Sequence, residues 1–198
     1  MHRLTIVLEI VLIFILPVFW FLLRLGFWQQ RLIVFEIFVG LLVLLAINHK
    51  MSWREMDFRL DNFWKSVKLL LPGTILAIII ILVLFKLNIG TKYFFSQWWK
   101  NIFFPYYVLL GTFSQEFGFR GYLLLRLKSL FRNPLLIILI NALLFAWLHI
   151  LHYRVFVIVE AFVFGAYLTW VYLKQPNIFA TSLAHTLVGG MVIIMGFM

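Results

Sequence analysis

The chain of 198 residues is 65% hydrophobic and only 12% charged, well above the roughly 45–50% apolar share of a soluble globular domain, and this excludes a water-soluble fold. Its net charge of +10 lies between the apolar stretches rather than on one helix face or tail, which suits anionic lipid headgroups and topology signals and argues against a nucleic-acid partner. Cysteine is absent, so disulfides, thiolate metal sites and cysteine nucleophiles drop out, and any chemistry rests on oxygen and nitrogen groups.

A helix needs about 17–25 mostly apolar residues to cross the hydrocarbon core. Such runs are read at about 4–23, 32–48, 69–88, 134–151 and 177–197, with two less pure ones at about 101–119, holding Gln115 and Glu116, and about 153–173, holding Glu160. The expected fold is therefore all-α: a polytopic transmembrane helix bundle of about seven spans plus interfacial amphipathic helices, forming a single membrane domain over 1–198. The first run is too long for a signal peptide and lacks a small-residue cleavage site, so it is read as a span.

After the second run, Trp53, Met56, Leu60, Phe63, Trp64 and Val67 recur at helical spacing, with Arg54, Glu55, Asp57, Arg59, Asp61 and Lys65 on the remaining face. This predicts an amphipathic helix lying flat at the interface. Ser52 and Glu55 have the spacing of a capping box at its start, and Pro72-Gly73 is expected to kink or begin the third span. A second amphipathic piece is predicted over 122–131, carrying Arg126 and Lys128, with Arg132 just beyond. Arg3, Lys50, Arg54, Arg59, Lys65, Lys68, Arg126, Lys128, Arg132 and Lys174 fall on one side of the alternating loops, against Arg24, Arg31, Lys86, Lys92, Lys100 and Arg154 on the other. The excess places the N-terminus in the cytoplasm.

An ionisable side chain at mid-span costs about 2.5–3.5 kcal/mol on insertion scales, so each one calls for a reason. Of the seven acidic residues, Glu9, Glu36, Glu116 and Glu160 fall within apolar runs. Glu9 and Glu36 have no basic or histidine neighbour within a turn and are read as structural carboxyls. Glu116 has Arg120 at i+4 on the same helix face. On its own that spacing describes a neutralised structural ion pair. His149 and His185, each on a different run, make the set richer than packing requires, and histidine is the natural proton carrier near neutral pH.

The segments QEFGFRG at 115–121, FAWLH at 145–149 and HTLVG at 185–189, in that order, resemble the CAAX-protease and bacteriocin-processing (CPBP, or Abi) family of intramembrane glutamic-type endopeptidases. The family pattern is Glu-Glu-x-x-x-Arg, Phe-x-x-x-His and His-x-x-x-Asn. Phe164-Gly165 and the approach Thr181-Ser182-Leu183-Ala184 fit as well, and the family-like core covers about 52–198. Two positions depart from the pattern: Gln115 replaces the first of the paired glutamates, and Gly189 stands where asparagine is usual.

The resemblance implies a water activated by a motif-one glutamate and the second-motif histidine, with the last-motif histidine and asparagine stabilising the oxyanion. Glutamine cannot take a proton, so Glu116 is left as the motif carboxylate. The expected roles are Glu116 with His149 as the water-activating pair, Gln115 as a hydrogen-bonding partner, His185 as oxyanion donor and Arg120 as the residue that holds Glu116. The substrate class is a membrane-anchored or hydrophobic peptide cut near the membrane end. The expected location is a plasma (inner) membrane.

No cofactor is required by this scheme. A zinc version using Glu116, His149, His152 and His185 is the competing mechanism, although no H-E-x-x-H occurs. Ser114 and Ser182 lack a nucleophile-elbow context, and Ser182 is expected to bond to helix backbone. Two readings from other classes stay open: a catalytically inactive family member acting as scaffold, immunity factor or complex partner, to which Gln115 and Gly189 point, and a transporter using Glu36 and Glu160.

Overall fold

The computed structural model describes residues 3–23, 31–89 and 107–197. The first six residues of the predicted fourth span and the loop residues Arg24, Lys92 and Lys100 lie outside them. Seven helices run through the described residues: α1 (Arg3–Leu22), α2 (Arg31–Asn48), α3 (Phe63–Lys86), α4 (a continuous helical run over 107–130), α5 (Pro134–His149, closing in a 3₁₀ turn to His152), α6 (Val155–Lys174) and α7 (Ile178–Ile194). Four of them, α1, α3, α5 with its closing turn, and α6, are long and apolar enough to cross a membrane; the apolar segment of α2 and α7 are shorter.

Lipid-type exposure fits that length. On α3, Ile75, Leu76, Ile79, Ile80 and Val83 face outward, as do Leu135, Leu139 and Leu143 on α5 and Val155, Val159 and Val163 on α6. These are the stripes that a bilayer covers and water does not. The opposite faces build two apolar clusters. One joins α1, α2, α4 and α5 around Phe14, Leu42, Tyr122, Leu123 and Phe145. The other joins α3, α6 and α7 around Ile81, Phe164, Leu168 and Val188.

Of the interfacial helix predicted over 53–67, only 63–67 is helical, as the start of α3, and 53–62 runs as turns. The capping box itself is present, with the Ser52 N–H donating to Glu55 at 2.7 Å and the Glu55 N–H to Ser52 Oγ at 3.1 Å, but the segment turns back after one loop at Asp57, which has φ of 60°. Trp53, Leu60 and Trp64 are exposed and only Met56 is buried, so the apolar spacing marks no continuous helical face. Tertiary contacts take the backbone instead. The Ile178 N–H donates to the Asp57 carbonyl, Tyr172 Oη to the Met56 carbonyl and Asn177 Nδ2 to the Arg59 carbonyl. Asn177 also caps α7 through the Ala180 N–H at 2.9 Å. This polar knot fixes where α7 begins.

Pro72 sits inside α3 rather than starting it. Tyr167 Oη, from α6, donates to the carbonyls of Leu69 and Leu70 and accepts the Gly73 N–H at 3.2 Å, meeting the backbone groups around the proline. A Cβ at Gly73 would collide with the Tyr167 ring, which explains the Pro-Gly pair. The predicted amphipathic piece over 122–131 is likewise not separate; it is the end of α4, and Arg126 is buried. Arg126 pairs with Glu9 at 3.1 Å, beside Tyr122 and His49, which also reach Glu9 at 2.8 Å each. Glu9 is therefore not alone; its partners come from α4 and the end of α2, beyond the reach of local sequence spacing. Glu36 stays exposed on α2.

Candidate active site

The centre of α4 winds as a π-helix over Phe117–Leu123, a geometry that widens the helix and leaves carbonyls without their usual partners. The Phe119 carbonyl accepts from Asn141 Nδ2 on α5 at 2.9 Å, and Thr169 Oγ1 on α6 donates to Asn141 Oδ1 at 2.9 Å. Both side chains are fully buried. They tie α4, α5 and α6 together directly behind the first motif. Neither stands out in the sequence, because a neutral polar residue within a span carries no charge that calls for a partner and neither belongs to a motif.

Glu116 and Arg120 are fully buried and form the pair that their spacing predicts, at 2.9 Å. A second guanidinium nitrogen donates to the Gly165 carbonyl at 3.1 Å, and the guanidinium lies over the Phe145 ring, 4.6 Å from its centroid. Phe145 is a hub: its ring also packs on Phe119, His149 and His185. A Cβ at Gly165 would stand 2.8 Å from that ring, so the glycine of the Phe164-Gly165 pair makes room for the phenylalanine of the second motif.

The two histidines are oriented differently from each other. His185 Nδ1 lies 2.9 Å from the same Glu116 oxygen that receives Arg120. His149 Nδ1 lies 2.8 Å from the Phe145 carbonyl; a carbonyl only accepts, so this nitrogen carries the proton and Nε2 is left as an acceptor. The hydrogen bonds of Glu116 go to Arg120 and His185, so the expected water-activating partners Glu116 and His149 are not bonded to each other directly. The other oxygen of Glu116 is buried without a hydrogen-bond partner among the described residues.

A cavity of about 40 Å³ opens beside this assembly, lined by Gln115, His149, His185, Gly189, Glu160 and Thr112 with Phe145, Phe164 and aliphatic side chains. That volume holds an ordered water or two. Gln115 Oε1 is buried without a hydrogen-bond partner among the described residues, a free acceptor in the cavity wall. Thr112 Oγ1 meets Thr186 Oγ1 at 2.6 Å and joins α4 to α7. A Cβ at Gly189 would sit 3.6 Å from the His185 ring in ordinary contact, so this position has room for a side chain beside Nε2.

Four of the five expected site residues, Gln115, Glu116, Arg120 and His185, meet directly or across one wall, and His149 faces the same cavity. Glu116 and Arg120 stand behind that wall rather than in it. His152 stacks near His149, with ring centroids 5.9 Å apart; among the described residues no three His, Asp or Glu side chains gather as a metal-ligand set. Ser182 Oγ is buried without a hydrogen-bond partner among the described residues. The backbone-bonded hydroxyl is that of its neighbour Thr181, which donates to the Ile178 carbonyl at 3.1 Å.

Comparison with known proteins converges on the same segments. The family described as type II CAAX prenyl endopeptidase Rce1-like has a model that matches residues 96–191. No curated protein and no solved structure matches the chain. All three motifs and every polar residue of the cavity wall fall inside the matched stretch, so over residues 96–191, just under half of the chain, it is similar to the Rce1-like CAAX-protease family.

Proposed function

We propose that the chain is an intramembrane endopeptidase that hydrolyses a peptide bond near the membrane end of a lipid-anchored or single-span substrate. The observation that carries this reading is the cavity in which Gln115, His149 and His185 converge with no carboxylate of the first motif exposed in its wall. Around it, the seven helices cross the bilayer as seven spans, with the N-terminus on the cytoplasmic side as the distribution of basic residues favours.

In this mechanism the water sits between His149 Nε2 and Gln115. The Nδ1–H bond to the Phe145 carbonyl fixes the tautomer that lets His149 accept a water hydrogen. The substrate carbonyl oxygen lies against His185 Nε2. For that nitrogen to donate while Nδ1–H is held by Glu116, the ring carries both protons, and the Glu116 carboxylate balances it. Arg120, Glu116 and a protonated His185 together carry one net positive charge beside the developing oxyanion, in a site closed to bulk water, where such a charge is worth most. Glu116 therefore acts through His185, and Arg120 holds it in place.

The test is cleavage of a prenylated CAAX peptide and a single-span reporter by the purified chain, alongside His149→Ala and His185→Ala at matched folding. Loss of about a hundredfold or more in both variants is expected. Equal cleavage by all three proteins, or none by any of them, overturns the reading.

A further inference from the structure

The first-motif position that should bring a carboxylate to the water holds Gln115, and the remaining motif carboxylate, Glu116, is fully buried and bonded to Arg120 and His185. A different carboxylate is present in the cavity wall. Glu160, on the second turn of α6, lines the cavity together with Gln115, His149, His185 and Gly189, while its near neighbours Val159 and Val163 face outward. The helix therefore turns its one acidic residue toward the cavity. The short connection 150–154 joins α5 to α6, and Glu160 and His149 line the same cavity. Among the described residues, Glu160 has no hydrogen-bond or ion-pair partner, in contrast to Glu9 with three and Glu116 with two. A structural intramembrane carboxylate is paired; an unpaired one facing a polar cavity has a functional explanation.

Resting on the endopeptidase reading above, we infer that Glu160 is the catalytic base of this chain and supplies from α6 the carboxylate that Gln115 no longer supplies from α4. The water gives one proton to the Glu160 carboxylate as its oxygen bonds to the substrate carbonyl carbon. His149 Nε2 holds the other water hydrogen, and the carbonyl electron pair moves to the oxygen facing His185. When the tetrahedral intermediate collapses, the C–N bond breaks, its pair stays on nitrogen, and Glu160 returns its proton to the departing amine. The products are a new carboxyl terminus and a free amine, and Glu160 ends as it began. Gln115 keeps a positioning role through its amide.

Three variants test this in the purified chain reconstituted in liposomes, with the same prenylated CAAX peptide and single-span reporter as substrates. Glu160→Gln removes the proton acceptor with little change of shape and is expected to lower kcat by about 10²–10⁴-fold with thermal unfolding unchanged. Gln115→Glu in the Glu160→Gln background is expected to restore cleavage, because the carboxylate returns from the other side of the same cavity; a merely structural Glu160 would not be rescued in this way. Gln115→Glu alone checks that a carboxylate fits at 115. The native chain cleaving while Glu160→Gln cleaves equally well overturns the inference and leaves the endopeptidase reading standing. Cleavage by Gln115→Glu but not by the native chain also overturns it, since Glu160 then does not serve as base. No cleavage by any of the four proteins, all folded, overturns the endopeptidase reading and the inference with it.

Discussion

Removing the charge of Glu116 is expected to destabilise the fold and not only the chemistry. Glu116 and Arg120 are both fully buried, 2.9 Å apart, so Glu116→Leu leaves the guanidinium in the bundle core with the Gly165 carbonyl and the Phe145 ring in place of its carboxylate. Removing one partner of such a pair costs about 3–5 kcal/mol, whereas replacing both by apolar groups of similar volume is often neutral. Glu116→Leu and Arg120→Met should therefore each lower stability by about 3 kcal/mol, and Glu116→Leu/Arg120→Met should lose less than the sum by more than about 1 kcal/mol. The assay is reversible unfolding in mixed micelles, followed by tryptophan fluorescence for the native chain, the single variants and the double variant. Additive losses would mean that the two side chains do not sense each other, and the positioning role of Arg120 would fall with the pair.

Four further outcomes follow from particular contacts. Gly189→Asn places an amide beside His185, where a Cβ fits in ordinary contact; because losing one oxyanion donor costs about 10²–10³ in rate, cleavage should rise about tenfold or more, measured as kcat on the reporter. Gly165→Ala drives a Cβ to 2.8 Å from Phe145, so it should cost about 1–3 kcal/mol and lower cleavage with His149 and His185 untouched, read by unfolding and turnover on the same samples. Glu9→Ala removes the carboxylate that Arg126 pairs with, leaving it the Tyr122 hydroxyl, and should destabilise by about 3 kcal/mol without changing turnover of the folded fraction. Burial pushes the Asp57 carboxyl above its ordinary value, opposed by a Tyr172 hydrogen bond and by Lys128 and Arg59. Since the folded-state value is raised, the native chain is favoured below the unfolded-state value and loses that benefit as pH rises through the folded-state value; Asp57→Asn, which tolerates the left-handed backbone, should raise the melting temperature at neutral pH and give no gain in acid.

The helices were legible because lipid imposes a length and a polarity that composition records directly: the apolar runs at 4–23, 32–48, 134–151 and 153–173 fall on α1, α2, α5 and α6 within a few residues. The segment 53–62 was not legible, because its apolar spacing imitates a helix while its conformation is set by carbonyls that bind α6 and α7. In the site, Glu116 and Arg120 were readable from i+4 spacing, and the histidines from their rarity within spans. Which partner each one takes was not, since His185 reaches Glu116 across 69 residues of sequence. Glu160 was visible as a carboxyl within an apolar run, but its place in the cavity wall, like the role of Asn141, was not. Their meaning depends on which face of a helix meets the cavity or the π turn, and a nearly uniform apolar helix carries no periodic signal for that.

The central claim is that a water held in this cavity cuts a peptide bond. The direct measurement is mass spectrometry of the products formed from a prenylated CAAX peptide or a single-span reporter in heavy-oxygen water, using the native chain and His149→Ala in liposomes. The account predicts one heavy oxygen in the new carboxyl terminus for each cut by the native chain and no product from the variant. Undiminished product from His149→Ala, or no product from a folded native chain, would contradict it.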